Sequence, residues 1–380
     1  MTNKRLFLLV SLLGMVAHLA PAPAADRVVA TEEHRIRIVP VATGLDTPWG
    51  MTFLTPDRIL LTEKPGRMRI VESGKLLPQP VAGVPPVRAQ KQGGLLDVTT
   101  HPQFATNGLV YWSYAGGENS GEVGTEVARG RLSGDPATGF HLSDVEVIFR
   151  QQPKAGGGVH FGSRLVWSRD GNLFVTMGER GQMKEAQNLA VHLGKIVRLT
   201  ETGKPAPGNP FLNQPNARPE IFSLGNRNVQ GAALHPVTGE LWAHEHGPQG
   251  GDEVNIIRSG RNYGWPVITY GANYGTGTKI GEGTEKAGME QPLWKWVPSI
   301  APSGMAFYTG ERFPKWKGNL FVGALAGQLI ARLTLEGDKV IREERIAGTG
   351  RTRDIRSGPD GYLYVLSETE GALLRIEPAN

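Results

Sequence analysis

Short apolar runs separated by turn residues recur along the whole chain and fall into a repeating unit. Each unit opens with an apolar strand, passes a turn carrying Pro, Asp or Gly, and continues into a second strand. A glycine-containing link follows, and a third strand ending in Arg-Ile or Arg-Leu completes several copies. Pro48-Trp49-Gly50-Met51-Thr52-Phe53-Leu54 opens the first copy, followed by Arg58-Ile59-Leu60-Leu61 and Arg67-Met68-Arg69-Ile70-Val71. Leu95-Leu96-Asp97-Val98 leads through His101-Pro102 to Leu109-Val110-Tyr111-Trp112, and Arg164-Leu165-Val166-Trp167 through Asp170-Gly171 to Leu173-Phe174-Val175. Gly231-Ala232-Ala233-Leu234 leads through His235-Pro236 to Leu241-Trp242-Ala243, and Gly304-Met305-Ala306-Phe307 to Leu320-Phe321-Val322. The last copy runs from Asp354-Ile355 through Pro359-Asp360-Gly361 to Leu363-Tyr364-Val365-Leu366, and Leu373-Leu374-Arg375-Ile376 closes it.

These copies start about 60 residues apart, the spacing of a four-stranded propeller blade. Long amphipathic helical patterns are nearly absent. The pattern therefore predicts an all-β fold, a six-bladed β-propeller, in preference to a large sandwich or a β-helix, because a closed ring of similar sheets protects their edges. Propellers take ligands at the mouth of the central channel, on loops from several blades, so candidate residues are expected in different repeats.

The N-terminus has a different texture. Lys4 and Arg5 precede an apolar stretch, Leu6 to Leu19, and Ala22-Pro23-Ala24 has the small-residue form of a cleavage site. This predicts a secretory signal peptide over residues 1–25, export to the periplasm, and a propeller catalytic domain over 26–380 with no membrane insertion after cleavage. The chain has 41 basic and 36 acidic side chains; setting aside Lys4 and Arg5 leaves 39 against 36, with no long run of one sign. That balance gives no reason to expect nucleic acid. There is no cysteine, so disulfides, cysteine nucleophiles, covalent haem and cysteine zinc sites are excluded. The 51 glycines and 27 prolines point to many tight turns rather than disorder, since apolar runs recur throughout.

Four polar clusters carry candidate chemistry. His160 follows Gly156-Gly157-Gly158 at a loop-to-strand junction, where a histidine can serve as a general base or simply brace a loop carbonyl. Asn226-Arg227-Asn228 sets a guanidinium between two amides, suited to an oxyanion or a carboxylate-rich ligand, or to bracing its own loop. His244-Glu245-His246-Gly247-Pro248 leads into Asp252-Glu253. Zinc at His244 and His246 lacks a third ligand, and the glycine, proline and carboxylate content suits calcium better. Arg351 and Arg353 read either as a salt-bridged surface or as an anionic anchor. No nucleophile elbow, Walker loop or Rossmann fingerprint is present.

Taken together, Gln92-Gly93-Gly94-Leu95-Leu96-Asp97, His160-Phe161-Gly162-Ser163-Arg164-Leu165, Asn226-Arg227-Asn228, His244-Glu245-His246-Gly247-Pro248 and Ala301-Pro302-Ser303-Gly304 resemble the motifs of the soluble glucose dehydrogenase and aldose sugar dehydrogenase family. Those enzymes depend on pyrroloquinoline quinone (PQQ). The resemblance spans nearly the whole chain after the leader. It implies an oxidoreductase in which His160 takes the anomeric hydroxyl proton while hydride leaves that carbon for quinone C5. Arg227 and Asn228 would hydrogen-bond the quinone oxygens, and Arg351 and Arg353 would face the PQQ carboxylates. Gly247 and Pro248 would ligate calcium through their carbonyls, and Glu253 and Tyr263 would hold a second, structural calcium. Gln92 would line the sugar site.

Two departures from the family pattern stand out. Where many members carry an aspartate to orient the histidine, this chain has Glu179; where some carry a lysine on PQQ, it has Ala326. The implied partners are an aldose substrate and an external electron acceptor, with the protein a monomer or homodimer. Two rival readings remain on the same scaffold: a calcium-dependent, lactonase-like hydrolase and a non-catalytic carbohydrate- or protein-binding propeller. Trp294 and Trp296 are candidates either for stacking on a sugar ring or for core packing.

Overall fold

The structure, a computed structural model, describes residues 26–117 and 121–379, so the signal-peptide reading lies outside the described residues. Six antiparallel sheets form a ring, confirming the six-bladed propeller. The innermost strands are Pro48–Thr55, Leu95–Thr100, Gly162–Trp167, Val229–Leu234, Pro302–Phe307 and Thr352–Ser357, and each packs beside the next, with the sixth returning to the first.

The closed ring is as the repeat pattern predicts, but the strands that close it are not read from that pattern. Blade six takes only three strands from the C-terminal end of the chain. Arg35–Ala42 pairs with Ala372–Pro378, and Arg27–Ala30 adds outside it. The two ends of the chain are thus hydrogen-bonded into one sheet, which leaves the ring without a seam held by side chains alone.

Apolar residues on the blade faces form one cluster at each blade-to-blade interface. Leu60, Met68 and Ile70 of blade one meet Val98 and Trp112 of blade two, and Trp242 and Val254 of blade four meet Met305 and Val322 of blade five. Side chains such as Trp112 and Trp242 are fully buried, and each large one removed from water contributes about 1.5–3 kcal/mol. The His-Pro turns serve the same end. The His101 ring packs edge-on to Trp167 of the next blade at 5.0 Å, and the His235 ring to Phe307 at 5.0 Å. Trp296 belongs to this packing: it is buried in the outer strand of blade four, its Nε1 donating to Glu343 at 3.1 Å, and Trp294 packs partly buried beside it. Of the two readings for this pair, core packing holds.

At the channel centre lies a buried charge cluster. Arg164 bridges Asp97 at 3.0 Å and Asp354 at 3.1 Å, and Arg356 reaches both carboxylates at 3.0 and 3.1 Å. These four residues come from blades two, three and six. With both carboxylates and the Arg164 side chain almost wholly buried, the cluster holds the inner strands at fixed spacing.

Candidate active site

In an antiparallel blade, the start of the first strand and the link from the second strand to the third lie at the same end. Nearly every candidate residue occupies one of these two positions. Trp49, Gln92, His160, Asn228, Arg351 and Arg353 stand at starts of first strands, and Lys64, Glu179, His246 and Glu368 in the second-to-third links. One end of the ring therefore gathers side chains from all parts of the sequence around a cavity of about 320 Å³. Its wall includes Trp49, Gln92, Asn228, His246, Arg351 and Arg353.

His160 sits beside this cavity. Its backbone is left-handed, at φ 54°, a conformation that costs a non-glycine residue roughly 1–3 kcal/mol and persists only where surrounding contacts fix it. Three contacts do so. Its N–H donates to Gln92 Oε1 at 2.7 Å, its carbonyl oxygen rests against Gly178, and its Nδ1 is hydrogen-bonded to Glu179. A Cβ on residue 178 would lie 1.9 Å from that carbonyl oxygen, so only glycine fits there. Glu179 is itself held by its N–H, which donates to the Arg227 carbonyl at 2.9 Å.

Nδ1–H donating to a carboxylate leaves Nε2 with the lone pair, the tautomer of a base. Burial lowers the His160 pKa below its ordinary value, Arg227 lowers it further, and Glu179 opposes both. The ring is therefore neutral at pH 7. The Glu179 carboxylate reaches Nδ1 despite its extra methylene, so the departure from aspartate keeps the contact.

Arg227 is nearly buried, donates to the His246 carbonyl at 3.1 Å and lies 5.4 Å over the Trp265 ring. Burial pulls its pKa down from the usual guanidinium value, opposed by Tyr274, Glu179, Glu245 and Asp252. Asn228 Oδ1 accepts from the Gly162 N–H at 3.1 Å, which ties blade four to blade three. Across the cavity, Arg351 and Arg353 share Glu368 at 2.5 and 2.6 Å, and Arg353 also reaches Gln230 Oε1 at 3.1 Å. Burial raises the Glu368 carboxyl, but the two arginines outweigh it and hold it ionised.

Three of the four residues expected to hold calcium line a second, much smaller cavity. Gly247, Glu253 and Tyr263 line it together with Glu245, and His246 separates it from the large one. Glu245 and Glu253 are paired across adjacent strands. Burial pushes both carboxyls up, and the Glu245 charge pushes Glu253 further. Glu245 accepts from Asn226 Nδ2 at 2.8 Å and from the Arg227 N–H, and Glu253 accepts from Asn255 Nδ2 at 3.5 Å. Among the described residues no three His, Cys, Asp or Glu side chains converge as a metal cluster, so a cation here would rely on carbonyl oxygens as well. Pro248 is not among the lining residues of this cavity, and its carbonyl accepts from the Tyr274 hydroxyl at 3.0 Å. The Tyr263 hydroxyl is taken up by the backbone of Ile256 and Arg258. His244 is buried against the Ser303 and Gly304 backbone and His246 bonds the Pro302 carbonyl at 2.6 Å, so the pair does not converge as a zinc site.

Several cavity residues went unrecognised in the sequence. Trp49, Lys64, Lys91, Gln230 and Glu368 line the wall, and Tyr274 stands 66% exposed beside Pro248. Lys91 was within reach, since it immediately precedes Gln92. Glu368 carries no local signal, because only blade closure brings it to the arginines. Ala326 is exposed just beyond the cavity residue Leu325 and brings no charge there.

The glucose/sorbosone dehydrogenase family model matches residues 45–375. The chain is 44% identical over 385 residues to the aldose sugar dehydrogenase YliI of Escherichia coli, covering 100% of both chains. It superposes on the soluble aldose sugar dehydrogenase of E. coli in its apo form with a TM-score of 0.86 and 43% identity, covering 90% of this chain and 100% of the other. It also superposes on the PQQ-bound aldose sugar dehydrogenase of Streptomyces coelicolor with a TM-score of 0.74 and 27% identity, covering 93% and 99%. With a match over nearly all of the propeller, the chain belongs to the glucose/sorbosone dehydrogenase family.

Proposed function

We propose that the protein is a PQQ-dependent aldose dehydrogenase that oxidises the anomeric carbon of a sugar to a lactone and passes the electrons to an external acceptor. The observation that carries this reading is a neutral His160, oriented by Glu179 and standing beside Arg227 at the edge of a cavity with a cationic wall. The residues suit the cofactor: in the large cavity Arg351 and Arg353 match its carboxylates, the Trp49 ring offers an apolar wall and Asn228 a donor for a quinone oxygen, while Arg227 lines the small cavity on the other side of His246 and would approach the quinone from there. When bound, PQQ supplies a two-electron acceptor for hydride.

The chain's own residues do the rest. Gln92 binds the sugar while its Oε1 holds the His160 N–H. His160 Nε2 takes the proton of the anomeric hydroxyl, which strengthens the push of electrons toward hydride release. Glu179 stabilises the imidazolium that results. Arg227 stabilises negative charge that develops on the acceptor side. Calcium suits Gly247 and Pro248, with Glu253 and Tyr263 beside a second ion near Glu245. Its role would be to orient the cofactor and stiffen blade four. The leader-like residues 1–25 support export, so we place the reaction in the periplasm, where a tightly held quinone is a more practical oxidant than a free nicotinamide.

Reconstitution tests this reading. Chelator-treated protein is supplied with PQQ and calcium singly and together, and aldose-dependent dye reduction is measured. Activity that requires both supports the proposal. Lactone hydrolysis without PQQ would favour the hydrolase, and sugar binding with no turnover the binding module.

A further inference from the structure

The cavity wall carries four cations, Lys64, Lys91, Arg351 and Arg353, and a single carboxylate, Glu368. Glu368 is spent on the two arginines. Lys64 and Lys91 have no carboxylate partner among the described residues. Lys64 Nζ donates to the Lys91 carbonyl at 2.9 Å, and Lys91 Nζ donates to the Gly157 carbonyl at 3.0 Å. An ammonium has three donors, so each keeps two for a ligand.

The backbone is shaped to hold them. Lys91 is left-handed at φ 53°, and the cavity residue Ala301 shares that conformation at φ 54°. Gly94, at φ 150°, presses so close to Lys64 that a Cβ there would lie 2.2 Å from the Lys64 carbonyl oxygen. Gly158 lies under the Lys91 stem, where a Cβ would come within 3.0 Å of Cδ. Two long side chains on different blades are thus packed against the same mouth, and strain of this kind survives where function repays it.

We infer that Lys64 and Lys91 form a carboxylate subsite of the cofactor cavity, binding the PQQ carboxylate that Arg351 and Arg353 leave unpaired. The inference rests on the PQQ reading above. The charge supports it: with Glu368 offsetting one arginine, the wall presents a net three positive charges to a ligand with three carboxylates. The lysine missing at Ala326 is thereby replaced from the opposite side of the ring, by blades one and two.

The test is a titration of the calcium-supplemented protein with PQQ, followed by quenching of tryptophan fluorescence at low and high salt. Wild type, Lys64→Met, Lys91→Met and the double variant are compared, with Tm measured for each. Each single change is expected to weaken PQQ binding about tenfold, with unchanged Tm, and the double variant to lose much of the salt dependence. The kcat/KM ratio of glucuronate to glucose should not move. Variants that bind PQQ as wild type does would overturn the inference and leave the PQQ reading standing. Unchanged PQQ affinity with a lowered glucuronate-to-glucose ratio of kcat/KM would overturn the inference and assign the two lysines to the substrate instead. Wild type that fails to bind PQQ would overturn both.

Discussion

His160 Nδ1 is hydrogen-bonded to one oxygen of Glu179, a nearly buried carboxylate whose other oxygen, Oε2, has no hydrogen-bond partner among the described residues. An oxygen left unsatisfied in this way is costly in a finished core and useful beside a reaction that makes the adjacent ring cationic. Glu179→Gln keeps the shape and removes the charge. It is expected to lower kcat about 10- to 100-fold with little change in KM, while Glu179→Ala lowers kcat further. Steady-state kinetics on reconstituted protein would check this; equal kcat in Glu179→Gln would remove the orienting role.

The acid limb of kcat/KM should follow His160. Burial and Arg227 lower its pKa, so the protonation that destroys the base sets in at more acidic pH than for an ordinary imidazole. The acid limb therefore lies on the acid side of an ordinary imidazole's titration. Glu179→Gln deletes the influence that raises this pKa, so its limb moves further toward acid. A limb at or above 6.5, or no movement in the variant, would contradict the assignment.

Gly178→Ala probes the same contact sterically. The new Cβ would meet the His160 carbonyl oxygen and drive the loop outward. A stability loss of about 1–3 kcal/mol is expected, with a fall in kcat larger than Glu179→Gln produces. Urea denaturation and kinetics read the two effects separately.

The propeller and its six repeats were legible in the sequence because each blade is built from local contacts: two or three strands, a turn and an apolar face. That His160, Arg227, Arg351 and Arg353 gather at one end of the ring was legible because they sit in short motifs at strand starts. What was hidden depends on the ring being closed. Arg35–Ala42 reads as an ordinary strand until it pairs with Ala372–Pro378. The union of Arg164 with Asp97 and Asp354 spans three blades, and Glu368 gains its meaning only from Arg351 and Arg353. The Trp294–Trp296 pair shows the converse: its burial depends on packing against the neighbouring blade, which no local pattern reveals.

Arg164 should matter to stability rather than to turnover. Replacing it with Met leaves Asp97 and Asp354 buried with Arg356 alone, at a cost of about 3–5 kcal/mol. Urea titration would show a lower midpoint. The double change Arg164→Met with Asp97→Asn should recover part of the loss, and failure to recover any would mean that Arg164 acts through packing on Trp49, 4.3 Å away.

Calcium should raise Tm through the Glu245–Glu253 pair. Chelation is expected to lower Tm and calcium to restore it, and Glu253→Gln should abolish the response while raising the Tm of the metal-free protein. A calcium response that survives in Glu253→Gln would move the ion elsewhere.

A single-turnover experiment tests the central claim most directly. PQQ-loaded protein is mixed anaerobically with an aldose, with and without deuterium at the anomeric carbon, and the cofactor absorbance is followed. Reduction on sugar addition is expected, slowed severalfold by deuterium and lost in His160→Ala while PQQ remains bound. Bound cofactor that stays oxidised with sugar present, or a rate indifferent to both deuterium and His160, would contradict the claim.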